Sequence, residues 1–342
     1  MKLASSSGGR DRQERRALIT GINGFVGPHL ARVLMRRGFT VYGLLRSAAR
    51  PELCGIEGRL HLIRADLKDE VLVRHTLAEI QPTRVFHLAA ATGPATLESM
   101  LETNVLCTAH LLAAAMQLAE SGLSLKVVLV GSASEYGEVF AHELPVTEQQ
   151  IPRPTSAYGI SKLAQTGLLR CYRHPALKIS IGRPFNVVGP GEPPKLVCSA
   201  IAQQIAAVEA GCAPPVIKIG NLLPERDFVD VRDVAEALWA IGERGRSGDA
   251  YNICTGGAVS IGHILESLVR QANAPIRADG DAVRLRRGDV ARMVGDPQKI
   301  NRELDWVATT PIEQSLGDLL RGWRLTYGVG DVSLPKVPVT VP

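Results

Sequence analysis

The stretch ALITGINGFVG, residues 17–27, decides how this sequence is read. ALIT (17–20) is a short continuous apolar run, the pattern of a central parallel strand buried on both faces. It runs directly into Gly21, Gly24 and Gly27, spaced G-x-x-G-x-x-G, and residues 25–37 then carry a helical period. At a strand-to-helix junction each glycine has a task. Gly21 permits the tight turn, Gly24 lets the backbone approach a pyrophosphate, and Gly27 allows close helix–strand packing while the helix N-terminus faces the negative charge. With Phe25 and Val26 between them, these residues form the expected cradle of a dinucleotide cofactor.

Outward from this junction the same cadence repeats. Strand-like runs fall at 41–45, 60–65, 84–90, 126–132 and 177–184, with helical patterns at 69–80, near 99–120 and from about Thr155. Strand, helix, strand at this spacing predicts βαβ units with right-handed crossovers, hence an α/β fold with a doubly wound parallel sheet of the Rossmann type. After Pro184 the texture changes. Residues 186–194 hold two glycines and three prolines and read as a loop. A helix (196–210), a short strand (216–219), a loop through Asp230, a further helix, a strand near 250–254 and helices at about 260–272 and 311–326 follow. The expected division is a cofactor domain over 17–185, rejoined by about 225–257, and a smaller C-terminal α/β substrate-binding lobe over 186–224 and 258–327. Residues 1–16 read as a disordered tail and 328–342 as an extended one.

The end of the second strand bears on the cofactor's identity. An NAD enzyme places Asp or Glu about 20 residues past the glycines, to bind the ribose 2′-hydroxyl. Here the stretch reads Leu44-Leu45-Arg46-Ser47, with Arg50 nearby and no carboxylate. Arg46 can neutralise a 2′-phosphate instead, so NADP(H) is expected over NAD(H). Asp66 and Leu67, after the third strand, are placed to meet the adenine, although Asp66 also reads as a plain loop or helix-cap residue.

Chemistry enters with Ser132, which ends the strand KVVLVGS, and with SAYGISK, where Tyr158 and Lys162 are spaced Y-x-x-x-K. Four residues apart on a helix, the two side chains share a face. An ammonium beside a phenol favours the phenolate and lowers its pKa, and a serine hydroxyl can polarise the same substrate oxygen. The set Ser132, Tyr158 and Lys162 suits proton transfer at a carbinol or carbonyl while hydride moves to or from a nicotinamide.

Composition excludes other classes. Of 342 residues, 45% are hydrophobic and 21% charged, an ordinary globular balance. The net charge is +5, of which the first 16 residues carry five basic and two acidic groups, so the remainder is close to neutral. Neither nucleic acid nor a membrane is an expected partner, and no apolar run reaches bilayer length. The six cysteines are scattered without a C-x-x-C pair and the eight histidines lack zinc spacing, so no metal is expected and a reducing, cytoplasmic setting fits.

From Ala17 to about Trp323 the chain resembles the extended short-chain dehydrogenase/reductase family. The resemblance rests on TGINGFVG, HLAA (87–90), Asn104, GSASEYG (131–137), YGISK (158–162) and GRPFNVVGPG (182–191). Within that family IKIGNLLPERDFVDVRDVAEA (217–237) and RLRRGDV (284–290) are most similar to the GDP-mannose 4,6-dehydratase and GDP-4-keto-6-deoxy-mannose reductase branch. The resemblance implies that Ala89, Asn104 and Lys162 also meet the cofactor, and that Ser134 and Glu135 border the sugar. It further implies that Asn186 lies near sugar and diphosphate, Arg226 meets the diphosphate, and Arg286 contacts phosphates or base. Asp289 would take the ribose hydroxyls where relatives carry Glu, and Lys218, Gly220 and Asn221 would border the nucleotide. A homodimer is implied by analogy alone.

The departures from the family pattern shape the functional expectation. Dehydratases of this branch carry a glutamate two residues before the tyrosine of the YG pair, where this chain has Ser134. Glu135 is one residue later, and on a strand-like segment that offset points to the other face. AATGPATLESM (90–100) looks shorter than the substrate-facing loop of relatives, and Arg287 replaces their usual proline. The expected activity is reduction of the C4 ketone of a nucleotide 4-keto-6-deoxyhexose, with a GDP-linked sugar first. GDP-mannose 4,6-dehydratase, a C4 epimerase and a non-enzymatic NADP-sensing protein are the alternatives.

Overall fold

A computed structural model describes residues 15–50, 53, 58–93, 95–281 and 290–330. Seven strands form one parallel sheet: β1 (Arg16–Thr20), β2 (Thr40–Leu45), β3 (Leu60–Arg64), β4 (Arg84–His87), β5 (Leu125–Val130), β6 (Leu177–Pro184) and, much later in the chain, Ala250–Ile253. Their order places β1 between β4 and β2. From β1 the chain adds β2 and β3 on one side, then β4, β5, β6 and the late strand on the other. The glycine turn after β1 therefore sits at the point where the strand order reverses, the crevice in which doubly wound sheets take ligands.

Burial on both faces follows from the residue pattern. On β1, Ala17 and Ile19 join one apolar core while Leu18 joins the other. The first core includes Leu30 and Leu34 of α1 (Gly27–Arg36) and Val234, Leu238 and Ile241 of a helix at Val231–Arg244. The second includes Val73 and Leu77 of α2 (Glu70–Ile80) and Leu111, Leu112 and Ala115 of Cys107–Glu120. Between them lies a short helix, α3 (Leu97–Leu101), capped by Thr96 and continued by a π-helical turn at Glu102–Leu106. The helix read as one piece from about residue 99 is thus interrupted. We call Cys107–Glu120 α4 and the following helix, Ala157–Gly167, α5.

A third core belongs to the C-terminal lobe. It joins Ile201 and Ile205 of α6 (Val197–Glu209), Ile264 and Leu268 of Ile261–Arg270, and Leu316 and Leu320 of Ile312–Thr326. Two segments read as loops contain strands. Asn186–Val188 pairs in parallel with Phe228–Asp230, and Glu225–Arg226 lies between Val259–Ser260 and Arg292–Met293. Strands of two or three residues are held by their tertiary partners and carry no period of their own to read.

The lobe is fastened to the sheet by Asp230, at the start of the Val231–Arg244 helix. Its carboxylate accepts from the Arg232 amide at 2.7 Å and the Ser315 hydroxyl at 2.6 Å, and pairs with the Arg232 guanidinium, which reaches on to Asp318 at 2.7 Å. No helix of the described residues is long and apolar enough to cross a membrane.

Candidate active site

The glycine turn has the form a dinucleotide needs. Gly21 has φ +69°, a left-handed conformation, and a Cβ there would lie 2.6 Å from the Ala89 amide nitrogen. A Cβ on Gly27 would lie 2.2 Å from the Ile22 carbonyl oxygen, so α1 can start this close to β1 only with glycine. The turn opens onto a cleft of about 300 Å³ that collects Gly21, Gly24, Arg46, Asp66, Leu67 and Ala89 of the expected cofactor residues. A backbone cradle followed by a polar cleft at the strand-order reversal fits a dinucleotide.

Asn23, Ser47, Lys68, Thr103 and Cys107 also line the cleft and escaped the sequence reading. Asn23 holds the strap after β2: its side chain donates to the Ala48 carbonyl at 2.9 Å and accepts from the Arg50 amide at 2.8 Å. Its place inside the glycine motif was the available signal. Asp66 accepts from the Lys68 amide at 3.1 Å, so its side chain also shapes its own turn. Phe25 and Val26 sit just outside the cleft lining, with Val26 as the N-cap position of α1 and Phe25 edge-on to His29.

Asn104 takes a different place from the one expected. It is fully buried, accepting from the Ala91 amide at 2.7 Å and donating to the Ala91 carbonyl at 3.2 Å and the Ser161 hydroxyl at 2.9 Å. Its amide ties the loop after β4 to α5 and stands behind the cleft rather than in its lining.

The catalytic candidates converge. Ser156 caps α5 by accepting from the Gly159 amide at 3.0 Å, which starts the helix just before Tyr158. A Cβ on Gly159 would meet the Ser134 carbonyl oxygen at 2.4 Å, so only glycine lets the segment after β5 lie against this helix. That contact brings the Ser132 side chain into hydrogen bonding with the Tyr158 hydroxyl. Lys162 is 2% exposed, with its Nζ 5.9 Å from the centre of the Tyr158 ring.

The electrostatics differ from the sequence expectation. Burial pushes the Tyr158 phenol up to about 12; the Ser132 hydrogen bond pulls it back in part, and the Glu135 carboxylate adds to the rise. Burial also brings the Lys162 ammonium down to about 8, against an upward pull from Glu135. The ammonium was expected to lower the phenol's pKa, but desolvation of the phenolate dominates here. A phenol so held is protonated at neutral pH.

Glu135 also differs from its expected place. Residues 133–135 form a 3-10 turn rather than a strand, with Ser132 as N-cap of a capping box. The Glu135 carboxylate accepts from the Ser132 amide at 2.9 Å and the Thr166 hydroxyl at 2.9 Å, and pairs with Arg183 at 2.9 Å. It is fully buried, so it is not a substrate-facing group. Gly131 makes room for it: a Cβ there would lie 2.3 Å from Glu135 Oε1. Ser134 stays partly exposed, its amide donating to the Ser132 hydroxyl at 3.1 Å.

Of the expected substrate residues, Asn186 and Arg226 flank Asp227, which was not foreseen. Asn186 donates from both backbone and side chain to the Asp227 carbonyl, and Arg226 donates to the Glu225 carbonyl at 2.9 Å. The buried Asp227 carboxylate collects the Thr255 and Gly256 amides and the Thr255 hydroxyl, at 2.7–2.9 Å. Lys218 is exposed on Val216–Ile219 and paired with Asp279; Asn221, beyond Gly220, accepts from the Leu223 amide. Arg286, Arg287 and Asp289 lie outside the described residues.

A parallel sheet with a glycine cradle at its switch point and a Ser–Tyr–Lys set beside it defines a short-chain dehydrogenase/reductase of the extended type. Residues 18–319 match the family described as GDP-mannose 4,6 dehydratase, and the chain belongs to it. It is 30% identical to the GDP-6-deoxy-D-mannose reductase of Pseudomonas aeruginosa, over 91% of this chain and 97% of that one. Among solved structures it resembles RMD from Pseudomonas aeruginosa complexed with NADPH (TM-score 0.75, 28% identity, 92% of this chain and 100% of that one). It also resembles MoeE5 in complex with UDP-glucuronic acid and NAD (TM-score 0.78, 30% identity, 91% and 99%). The chain is an enzyme of the nicotinamide-dependent short-chain dehydrogenase/reductase type.

Proposed function

We propose that this enzyme is an NADPH-dependent reductase acting on the C4 ketone of a nucleotide 4-keto-6-deoxyhexose. The favoured substrate is GDP-4-keto-6-deoxy-D-mannose, giving GDP-D-rhamnose or its C4 epimer. The observation that carries the reading is the pairing of a protonated phenol at Tyr158 with a glutamate turned inward onto Arg183. Elimination of water across a sugar's C5 and C6 needs a carboxylate or equivalent base in the crevice, and the position that would supply one is Ser134. Ketone reduction needs only a proton donor once hydride is available.

Bound nicotinamide supplies the hydride. Tyr158 donates the proton to the developing alkoxide, and Ser132 shares a hydrogen bond with the same oxygen. Lys162, one turn along α5, orients the cofactor side of the site and supplies positive charge as the phenol loses its proton. Gly21, Gly24 and Gly27 cradle the pyrophosphate, and Arg46 selects the 2′-phosphate. Asn186, Arg226, Lys218 and Asn221, with Arg286 and Asp289, take the nucleotide diphosphate sugar. A cytosolic homodimer completes the proposal. Leu101, Leu106 and Ile160, exposed by 36%, 48% and 40% on elements that pack against one another, are suited to its interface.

The test mixes the protein with NADPH and GDP-4-keto-6-deoxy-D-mannose. Loss of the reduced cofactor's near-ultraviolet absorbance, with a GDP-6-deoxyhexose as product, is the expected result. Formation of a 4-keto sugar from GDP-mannose and NADP, with no reductase activity, makes the enzyme a dehydratase instead.

A further inference from the structure

Behind the catalytic lysine the interior holds a line of neutral, hydrogen-bonded side chains. Lys162 Nζ donates to the Val130 carbonyl and to Gln165 Oε1, both at 2.8 Å. Gln165 Nε2 donates to Thr108 Oγ1 at 3.1 Å. His87 Nε2 lies 2.8 Å from the same hydroxyl, and His87 Nδ1 lies 2.7 Å from Thr20 Oγ1. Thr20 lines the cofactor cleft, so the line runs from the catalytic ammonium to the strand end that carries the glycine turn. Gln165, Thr108 and His87 are all buried.

The direction of every bond in the line is determined. Thr108 donates its only hydroxyl proton to the Asn104 carbonyl at 2.7 Å, so its oxygen can only accept from Gln165 and His87. His87 therefore carries its proton on Nε2, and Thr20 donates to the bare Nδ1. Burial holds His87 down to about 3, which keeps the imidazole neutral. Gln165 must then present its NH2 to Thr108 and its oxygen to Lys162. A carboxylate at this position would set an acceptor against the Thr108 oxygen.

We propose that Gln165 is a positioning residue for proton transfer, fixing the Lys162 ammonium beside Tyr158 through a neutral acceptor that leaves its charge uncompensated. The inference rests on reading Tyr158 and Lys162 as the proton-transfer pair. Among the described residues, few titratable groups face Lys162. Tyr158 lies on its own helix, neutral His87 on β4, and Glu135 on the 3-10 turn, where Arg183 already pairs with it. Gln165 thus decides whether the ammonium gains a counter-ion of its own.

The experiment follows the Lys162 amine directly, by NMR titration of lysine-labelled, cofactor-free protein, alongside the pH profile of kcat/KM for ketone reduction. In Gln165→Glu the amine titration moves up by about one to three pH units, and the alkaline limb of the profile moves with it. In Gln165→Met, which is close in volume, the amine moves down and kcat falls about tenfold while KM for the sugar holds. An amine titration unchanged in both folded variants overturns the proposal. Both amine shifts in the two variants, found together with a wild type that reduces no 4-keto sugar, support the positioning of Lys162 and remove the reductase reading alone.

Discussion

The surroundings of Lys162 and the joints of the C-terminal lobe treat buried polar groups in different ways. Beside the Ser–Tyr–Lys set, Lys162 donates to a carbonyl and a neutral amide, beyond which lie a hydroxyl and a neutral imidazole, and the carboxylate that acts on it, Glu135, is paired with Arg183. Where the lobe meets the sheet, and within the lobe, charges meet charges: Asp230 and Asp318 clasp Arg232, and Glu209 holds Arg324 at 2.7 Å. The difference separates two uses of burial. A charge left without a counter-ion has a shifted pKa and can serve chemistry, whereas a matched pair joins elements. Glu192 is the exception in the lobe. It accepts from the Ser199 amide at the start of α6, yet its Oε2 has no hydrogen-bond partner among the described residues, and burial pushes its carboxyl up to about 8.

Removing the uncompensated charge has the largest effect. Lys162→Met is expected to lower kcat by about a thousandfold and yet raise stability in urea at pH 7 by about 1–3 kcal/mol. The sign follows from the lowered pKa. The folded state holds the Lys162 proton less tightly than the unfolded chain does, so its penalty is full below pH 8 and fades toward pH 10.5. Wild-type stability should therefore climb across that window and the variant's should not.

Breaking the lobe's joint has the opposite sign. Arg232→Met leaves the buried Asp230 carboxylate with only the Ser315 hydroxyl and a backbone amide. Because the arginine side chain is 37% exposed, the loss is expected at about 1–3 kcal/mol, read as a lower urea midpoint. Glu192→Gln sharpens the exception. A raised carboxyl contributes stability that is complete below pH 4.5 and lost as the pH rises through 8. The glutamine should flatten that decline by about 1–2 kcal/mol in melts compared at pH 5 and pH 8. The smallest effect concerns cofactor choice. Arg46→Ala is expected to weaken NADPH binding about tenfold by fluorescence titration while leaving NADH unchanged.

The parts of this molecule that could be read from the chain are those with their own local signal. Leu177–Pro184 and Val216–Ile219 were bounded correctly because continuous apolar runs end at clear breakers. The cleft residues at Gly21, Arg46 and Asp66 were found because each ends a strand of a parallel sheet, where ligands bind. What stayed hidden depends on partners far along the chain. Glu225–Arg226 becomes a strand only between two other short strands, and Asp227 becomes a joint only when residues 255 and 256 arrive. The Y-x-x-x-K spacing correctly placed Tyr158 and Lys162 together but gave the wrong direction for the phenol. That direction depends on burial, which local spacing does not encode. Gln165 was invisible for the same reason, since a glutamine on a helix face acquires meaning only beside Lys162 and Thr108.

The central claim is that hydride ends on the sugar's C4 while Tyr158 gives the proton. It is tested most directly with NADPH deuterated at the transferred position and GDP-4-keto-6-deoxy-D-mannose, followed by mass spectrometry and NMR of the sugar. The account expects one deuteron at C4 of a 6-deoxyhexose, formed by the wild type and suppressed in Tyr158→Phe. Deuterium retained in the cofactor while GDP-mannose is converted to a 4-keto sugar, or a product unaffected by loss of the phenol, would contradict it.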